Sequence, residues 1–264
     1  MENEIFLSLQ TRTNKMNNIL AFDCTSSLLS VILESDKKRY INIRDVGLKH
    51  SEKLMPLIKD ICNEANIMPS MLDLIICPMG PGSFTGLRIA MASAKGLSLA
   101  LNKPMVCVPT TSYIAAKAPK DFLVVPLIDA KKQRYYCCLF YNQFPLTQPL
   151  DISLNNLLPI MKEKANQQNC NNFFLTGEDA DKALNEMINI IKTYPNDQQE
   201  DYKTLAFHLD PRHKESPIER LLELGILQYE KEGATSLETG PLYIRKSEAE
   251  ENTKTYKENL ATSL

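Results

Sequence analysis

Hydrophobic positions along the chain fall into two kinds of run. Asn18 to Phe22 (NILAF), Leu28 to Leu33, Leu74 to Cys77, Met105 to Val108, Phe122 to Ile128, Tyr135 to Tyr141 and Asn172 to Thr176 (NFFLT) are short apolar or β-rich stretches bounded by turn residues, the mark of buried strands. Arg39 to Val46 is read as a further strand after the charged turn Asp36-Lys37-Lys38. Leu54, Leu57, Ile58, Ile61, Cys62 and Ala65 recur at i, i+3, i+4, i+7, i+8 and i+11, which predicts an amphipathic helix opening at His50, with Ser51 as its cap and a bend at Pro56. Further helices are predicted from Thr110 towards Ala118, over Asp151 to Lys164, over Ala180 to Lys192, and over Glu219 to Glu232, where Gly233 ends the last. Tyr194 to Glu200 reads as a polar loop and Pro241 to Arg245 as an extended segment.

One stretch, Leu74 to Leu101, changes character twice. Its strand breaks at Pro78 and the Gly80-Pro81-Gly82 turn, then re-forms as a helix that Ser83 or Thr85 can cap. A strand feeding a glycine turn and a helix frames an anion site, because the N–H groups of the first helical turn point at whatever sits there. The spacing is neither a Walker A loop nor GxGxxG, so a tight turn that lets a helix pack close against a sheet explains the glycines equally well. Between Leu87 and Leu101 only Arg88, Ser93, Lys95 and Ser98 are polar, while Gly86/Ala90/Ala94 and Ala92/Gly96/Ala100 form rows of small residues. Such a helix is covered on most sides: it is either core, or one side is reserved for another chain.

The start of the chain is echoed further on. Ile19 to Leu33 is strand, Asp23, Thr/Ser turn, strand; Val124 to Tyr141 repeats strand, Asp129, polar turn, strand, after a break at Pro119-Lys120-Asp121. This predicts two duplicated α/β domains, with boundaries at residues 17–112 and 113–232. Residues 1–16 form a leader expected to be disordered, and residues 233–264 an extended segment with a charged tail from Lys246 that frays or forms a solvated helix.

Composition narrows the function. A chain of 264 residues that is 44% hydrophobic and 23% charged is globular, and a formal charge of -2 gives no electrostatic case for bulk nucleic-acid binding. Seven cysteines without C-x2-C spacing fit reduced core thiols in a cytosolic protein. The first fifteen residues fit neither a signal peptide nor a transit peptide, and Met16 is a candidate start. No run is long and apolar enough to span a bilayer.

The candidate chemistry is an acceptor at a hairpin tip. Asp23 with Thr25 and Ser26, the turn Gly80, Gly82, Ser83 and Thr85, and Asp129 together make a phosphate or nucleotide site, active or vestigial; alternatively Asp23 only satisfies the N–H groups of its own turn. His50 is followed by Leu54 at i+4, which speaks against a metal there. Against a peptidase, the chain has neither HExxH nor a nucleophile with a histidine placed to activate it.

Asp23 with its Thr/Ser turn, H-S-E-x-L-x-P at His50 to Pro56, GPGSFTGLR at Gly80 to Arg88, Pro126 to Ala130 and Pro241 to Arg245 occur in an order that resembles the TsaB (YeaZ) family, over about residues 17–245. The resemblance implies membership of the actin and sugar-kinase superfamily: two duplicated actin-like (ribonuclease H-like) α/β domains with a cleft between them. It implies a cytoplasmic, non-catalytic subunit that dimerises with TsaD and supports threonylcarbamoyl transfer to a tRNA adenosine, with the ATPase TsaE joining the pair and tRNA met only through the complex. TsaD-type enzymes carry an H-x3-H metal pair that His50 and Leu54 lack, so no catalytic residue and no metal is assigned. No cofactor is expected on the chain alone; ATP or ADP at the complex interface, and a homodimer without the partner, stay open. The resemblance turns the two helices into a docking surface, with Leu54, Leu57, Ile58, Ile61, Arg88, Met91, Ala92, Lys95 and Leu99 as partner contacts. The alternatives are an ATP-dependent phosphotransferase of the same superfamily and a peptidase-like relative.

Overall fold

The structure is a computed structural model that describes residues 16–245. The expectations for the leader and for the charged tail lie outside the described residues. The chain divides into two compact units, the first drawing on residues 16–79, Thr85–Ala116 and Glu215–Pro241, the second on Gly80–Phe84, Lys117–Lys214 and residues 242–245.

Unit 1 is a five-stranded sheet in the order β3-β2-β1-β4-β5, built from β1 (Asn18–Asp23), β2 (Leu28–Ser35), β3 (Lys38–Asp45), β4 (Leu74–Gly80) and β5 (Met105–Pro109). β1, β2 and β3 run antiparallel in turn, and β4 lies parallel to β1. Apolar residues are continuous along β1 and β4 because both faces are covered. Leu20, Phe22, Ile75, Cys77, Met105 and Cys107 face a core shared with α1 (His50–Glu64) and α2 (Phe84–Leu101). On the other face, α3 (Thr110–Ala115) and α7 (Ile218–Glu232) pack against β5, and α7 also against β1 and β2.

Unit 2 repeats the plan. Its main sheet order is β10-β7-β6-β11-β12, from β6 (Leu123–Asp129), β7 (Tyr135–Cys137), β10 (Leu150–Ile152), β11 (Asn172–Thr176) and β12 (Ala206–Leu209), with the small pair β8 (Phe140–Tyr141) and β9 (Phe144–Pro145) attached to β6. The pairing senses match too: β7 is antiparallel to both β6 and β10, and β11 is parallel to β6. Leu154, Leu157, Leu158 and Met161 of α4 (Leu154–Gln168), with Ala180, Ala183 and Met187 of α5 (Ala180–Thr193), close one face of this core. The duplicated α/β architecture read from the two hairpins is therefore the architecture found.

Several boundaries differ from expectation. α7 belongs to unit 1, not to a second domain spanning 113–232. Gly225 makes this packing possible, since a Cβ there would stand 2.5 Å from Cγ2 of Ile76, and Leu221, Leu222 and Ile226 are buried beside it. Ser51 is not the cap of α1: Lys49 holds that position without a side-chain bond, and Pro56 lies inside the helix. β4 continues through Pro78 to Gly80, beyond its ladder with β1, which ends at Ile76. The helix from Thr110 stops at Ala115. Asp151 sits in β10 and α4 begins only at Leu154, because Asp151 is claimed by arginines. The expected loop at Tyr194 to Glu200 contains α6 (Asn196–Lys203), whose last turn is held by a Lys162 to Asp201 ion pair of 2.6 Å and by Tyr202 against Tyr194. β12 has no counterpart among the predicted strands; its four residues are too few to show a period.

Candidate functional site

In unit 1 the Asp23 turn is closed by its own bonds. β1 ends at Asp23, which is 4% exposed. Its Oδ1 accepts from the Thr25 N–H and from Thr25 Oγ1, each at 2.7 Å, while Oδ2 accepts from the Tyr113 hydroxyl at 2.7 Å. Burial first, then the Asp23 carboxylate, push the Tyr113 phenol well above its usual range, so it remains a proton donor. Ser26 Oγ bonds to both the N–H and the carbonyl of Leu28. α2 leaves little room over the turn: a Cβ on Gly86 would lie 2.0 Å from the Cys24 carbonyl oxygen. Asp23 is thus a staple joining β1, its turn and α3. Protein donors occupy three of the roughly four lone-pair positions of this carboxylate, which leaves it little capacity for an ATP-bound metal or its water.

The equivalent aspartate in unit 2 is also engaged. Asp129 Oδ1 accepts from the Lys131 N–H at 2.7 Å, and Oδ2 meets the ammonium groups of Lys131 and Lys182, each at 3.2 Å. Burial alone would raise its pKa, yet the Lys131 N–H and the two lysines hold it below the usual carboxylate range. Its own N–H donates to Asp179 at 2.8 Å. The remaining members of the predicted phosphate turn belong to this unit as far as Phe84: Gly80 is buried, Gly82 half-buried and Ser83 exposed, while Thr85, also exposed, begins the unit 1 portion of α2.

The extended segment ending at Arg245 works as a clasp within unit 2. Arg245 grips Asp151 through two bonds, Nε to Oδ2 at 2.7 Å and Nη2 to Oδ1 at 2.8 Å, and donates to the Ala130 carbonyl at 3.0 Å. Arg134 donates to the same carboxylate at 2.7 Å and to the Asp151 carbonyl. Tyr243 stacks on Phe84 with centroids 4.5 Å apart. Sequence reasoning did not find Tyr113, Lys182 or Arg134 in these roles; Tyr113 lies 90 residues from Asp23 with no local signal.

The predicted docking residues separate into two groups. Leu54, Leu57, Ile58 and Ile61 are 1, 7, 2 and 1% exposed, and Met91 is 3% exposed; all five sit in the core of unit 1. Their assignment as partner contacts is corrected: the apolar stripe of α1 faces the sheet, because β2 and β3 offer it an apolar surface within its own unit. On α2 the outcome differs. Arg88, Ala92, Gly96, Leu99 and Ala100 are exposed and Lys95 is half-buried, so one face of a largely apolar helix meets solvent, with Leu99 at 67%. His50 has a buried Nε2 without a hydrogen-bond partner, but Leu54 one turn on offers no second ligand. Among the described residues no group of three or more His, Cys, Asp or Glu is placed to hold a metal, and no helix is long and apolar enough to cross a membrane.

Comparison with known proteins places this geometry. The family model described as TsaD, tRNA N6-adenosine threonylcarbamoyltransferase, matches residues 44–158. The tRNA threonylcarbamoyladenosine biosynthesis protein TsaB of Buchnera aphidicola subsp. Baizongia pistaciae is 35% identical over 133 residues, covering 49% of this chain and 60% of that protein. The Bacillus subtilis protein of the same name is 30% identical over 152 residues, 55% of this chain and 66% of its own length. The match therefore spans a little under two thirds of these curated relatives. A Pseudomonas aeruginosa protein described as similar to the peptidase YeaZ superimposes with a TM-score of 0.66 at 22% identity, over 87% of this chain and all of that one, a likeness of fold. With its sheet order duplicated, its hairpin aspartates in equivalent places and its sequence matching several TsaB proteins, this chain belongs to the TsaB (YeaZ) family.

Proposed function

We propose that this chain is a non-catalytic subunit of tRNA threonylcarbamoyladenosine biosynthesis that docks onto the threonylcarbamoyltransferase TsaD through the exposed face of α2. TsaE joins that pair, and tRNA is reached through the complex. The observation that carries the reading is the α2 face itself: small side chains at Ala92, Gly96 and Ala100 let another helix approach closely, and Leu99, Arg88 and Lys95 flank them. From Arg88 to Leu99 this face runs for about 17 Å at the helical rise of 1.5 Å per residue, which makes it one central strip of a standard interface of about 800 Å² per partner. The hairpin aspartates support the same reading, because their oxygens serve internal bonds. They weigh against an ATP-dependent phosphotransferase, and the chain alone is expected to bind no nucleotide.

The test is to mix the chain with TsaD and follow both on a sizing column. Co-elution is expected, and Ala92→Glu should abolish it while the circular dichroism of the variant alone stays that of the unaltered chain. Undisturbed co-elution of Ala92→Glu, or modification of tRNA by this chain alone, sinks the proposal.

A further inference from the structure

Two sulfur atoms flank the Cys107 thiol in the core of unit 1, on the inner side of α2. Cys77 on β4 and Cys107 on β5 place their Sγ atoms 3.7 Å apart, and Sδ of Met91, from the inner side of α2, lies 3.5 Å from Sγ of Cys107. All three residues are at most 3% exposed. Cys107 and Met79 also line a cavity of about 280 Å³, with the exposed Glu232 and Ser236 among its other lining residues.

We propose that Cys77, Cys107 and Met91 form a binding site for a soft monovalent cation, Cu(I), entered through the cavity at Cys107. Thiolate and thioether sulfur together select this ion. Zinc takes Cys, His, Asp or Glu and wants four ligands, and among the described residues no third ligand of those types joins the pair. A trigonal centre with metal–sulfur bonds of about 2.3 Å sets its sulfurs about 4.0 Å apart, so the two separations made by Cys107, 3.7 Å to Cys77 and 3.5 Å to Met91, need to open only slightly. Binding displaces one proton from each thiol to solvent, and the Met91 thioether supplies a lone pair; no electron is transferred. Two thiolates around Cu(I) carry one net negative charge.

The experiment titrates the reduced, metal-free full chain with Cu(I) under anaerobic conditions against a chromophoric chelator, then records X-ray absorption at the copper edge. One ion per chain and a three-sulfur shell are expected. Met91→Leu, which keeps the volume, should lower the shell to two sulfurs and weaken binding about 10-fold or more; Cys170→Ser, in unit 2, should change neither. Absence of uptake at one equivalent, uptake unchanged in a Cys77→Ser, Cys107→Ser double variant, or a shell of nitrogen and oxygen overturns the site. If the double variant does not fold, the absorption spectrum of the unaltered chain decides alone.

Discussion

The same substitution ten residues apart on α2 should move stability in opposite directions. Glycine within a helix costs about 0.8–1.0 kcal/mol relative to alanine, so glycine to alanine is normally a gain. At Gly96 nothing lies within 4 Å of an added Cβ, and the position is exposed. Gly96→Ala should therefore stabilise the isolated chain by about 0.5–1 kcal/mol, the propensity gain undiminished. At Gly86 the added Cβ would meet the Cys24 oxygen at 2.0 Å, the Cys24 carbonyl carbon at 2.9 Å and the Thr25 Cα at 3.2 Å. All three are backbone atoms in a turn stapled by Asp23, so none can swing aside as a flexible side chain does. Overpacking of this kind costs about 1–3 kcal/mol, and a rigid backbone neighbour puts it at the upper end. After subtraction of the propensity gain, Gly86→Ala should lose about 2 kcal/mol, leaving the two variants about 3 kcal/mol apart. Urea unfolding followed by far-ultraviolet circular dichroism reads this as midpoints shifted to either side of the unaltered chain. Equal stability of the two variants would refute the close approach of α2 to the turn. Gly96→Ala adds a second readout: a more stable chain that nevertheless loses TsaD co-elution is expected if the small-residue row is the docking strip.

Asp23→Ala should destabilise the chain by about 2–4 kcal/mol, because the Tyr113 hydroxyl and the Thr25 donors are left buried and unpaired; a change under about 0.5 kcal/mol in urea unfolding is that of an ordinary surface site and counts against the staple. Asp23→Asn keeps one acceptor oxygen for Thr25 and should cost less. Burial would raise the Asp151 pKa, but the hydrogen bonds from Arg245 and Arg134 hold it below its unfolded value. The clasp thus contributes fully above the unfolded value of about 3.9 and is lost as the pH falls through the lower, folded one. Asp151→Asn should be less stable than the unaltered chain at neutral pH, and its stability should fall less steeply on acidification below about pH 4. Parallel acid limbs in the two proteins would remove the clasp from the account.

What is local was legible in the sequence. The strands of both hairpins, the glycine turn, the amphipathic period of α1 and the apolar character of α2 depend on neighbours within a few residues, and chain order alone revealed that the two halves start alike. Periodicity says that a face is apolar; what covers that face lies elsewhere in the chain. The stripe of Leu54, Leu57, Ile58 and Ile61 looked like a contact surface until the sheet was folded against it, whereas Ala92, Gly96 and Leu99 on α2 remain at the surface. Likewise α7 joins a sheet whose strands lie about a hundred residues or more before it, through the absence of a side chain at Gly225, and Asp23 finds Tyr113 across the same unit. Tertiary structure decided these points because burial and hydrogen-bond partnership are properties of pairs far apart in sequence, and no pattern within one segment encodes its distant partner.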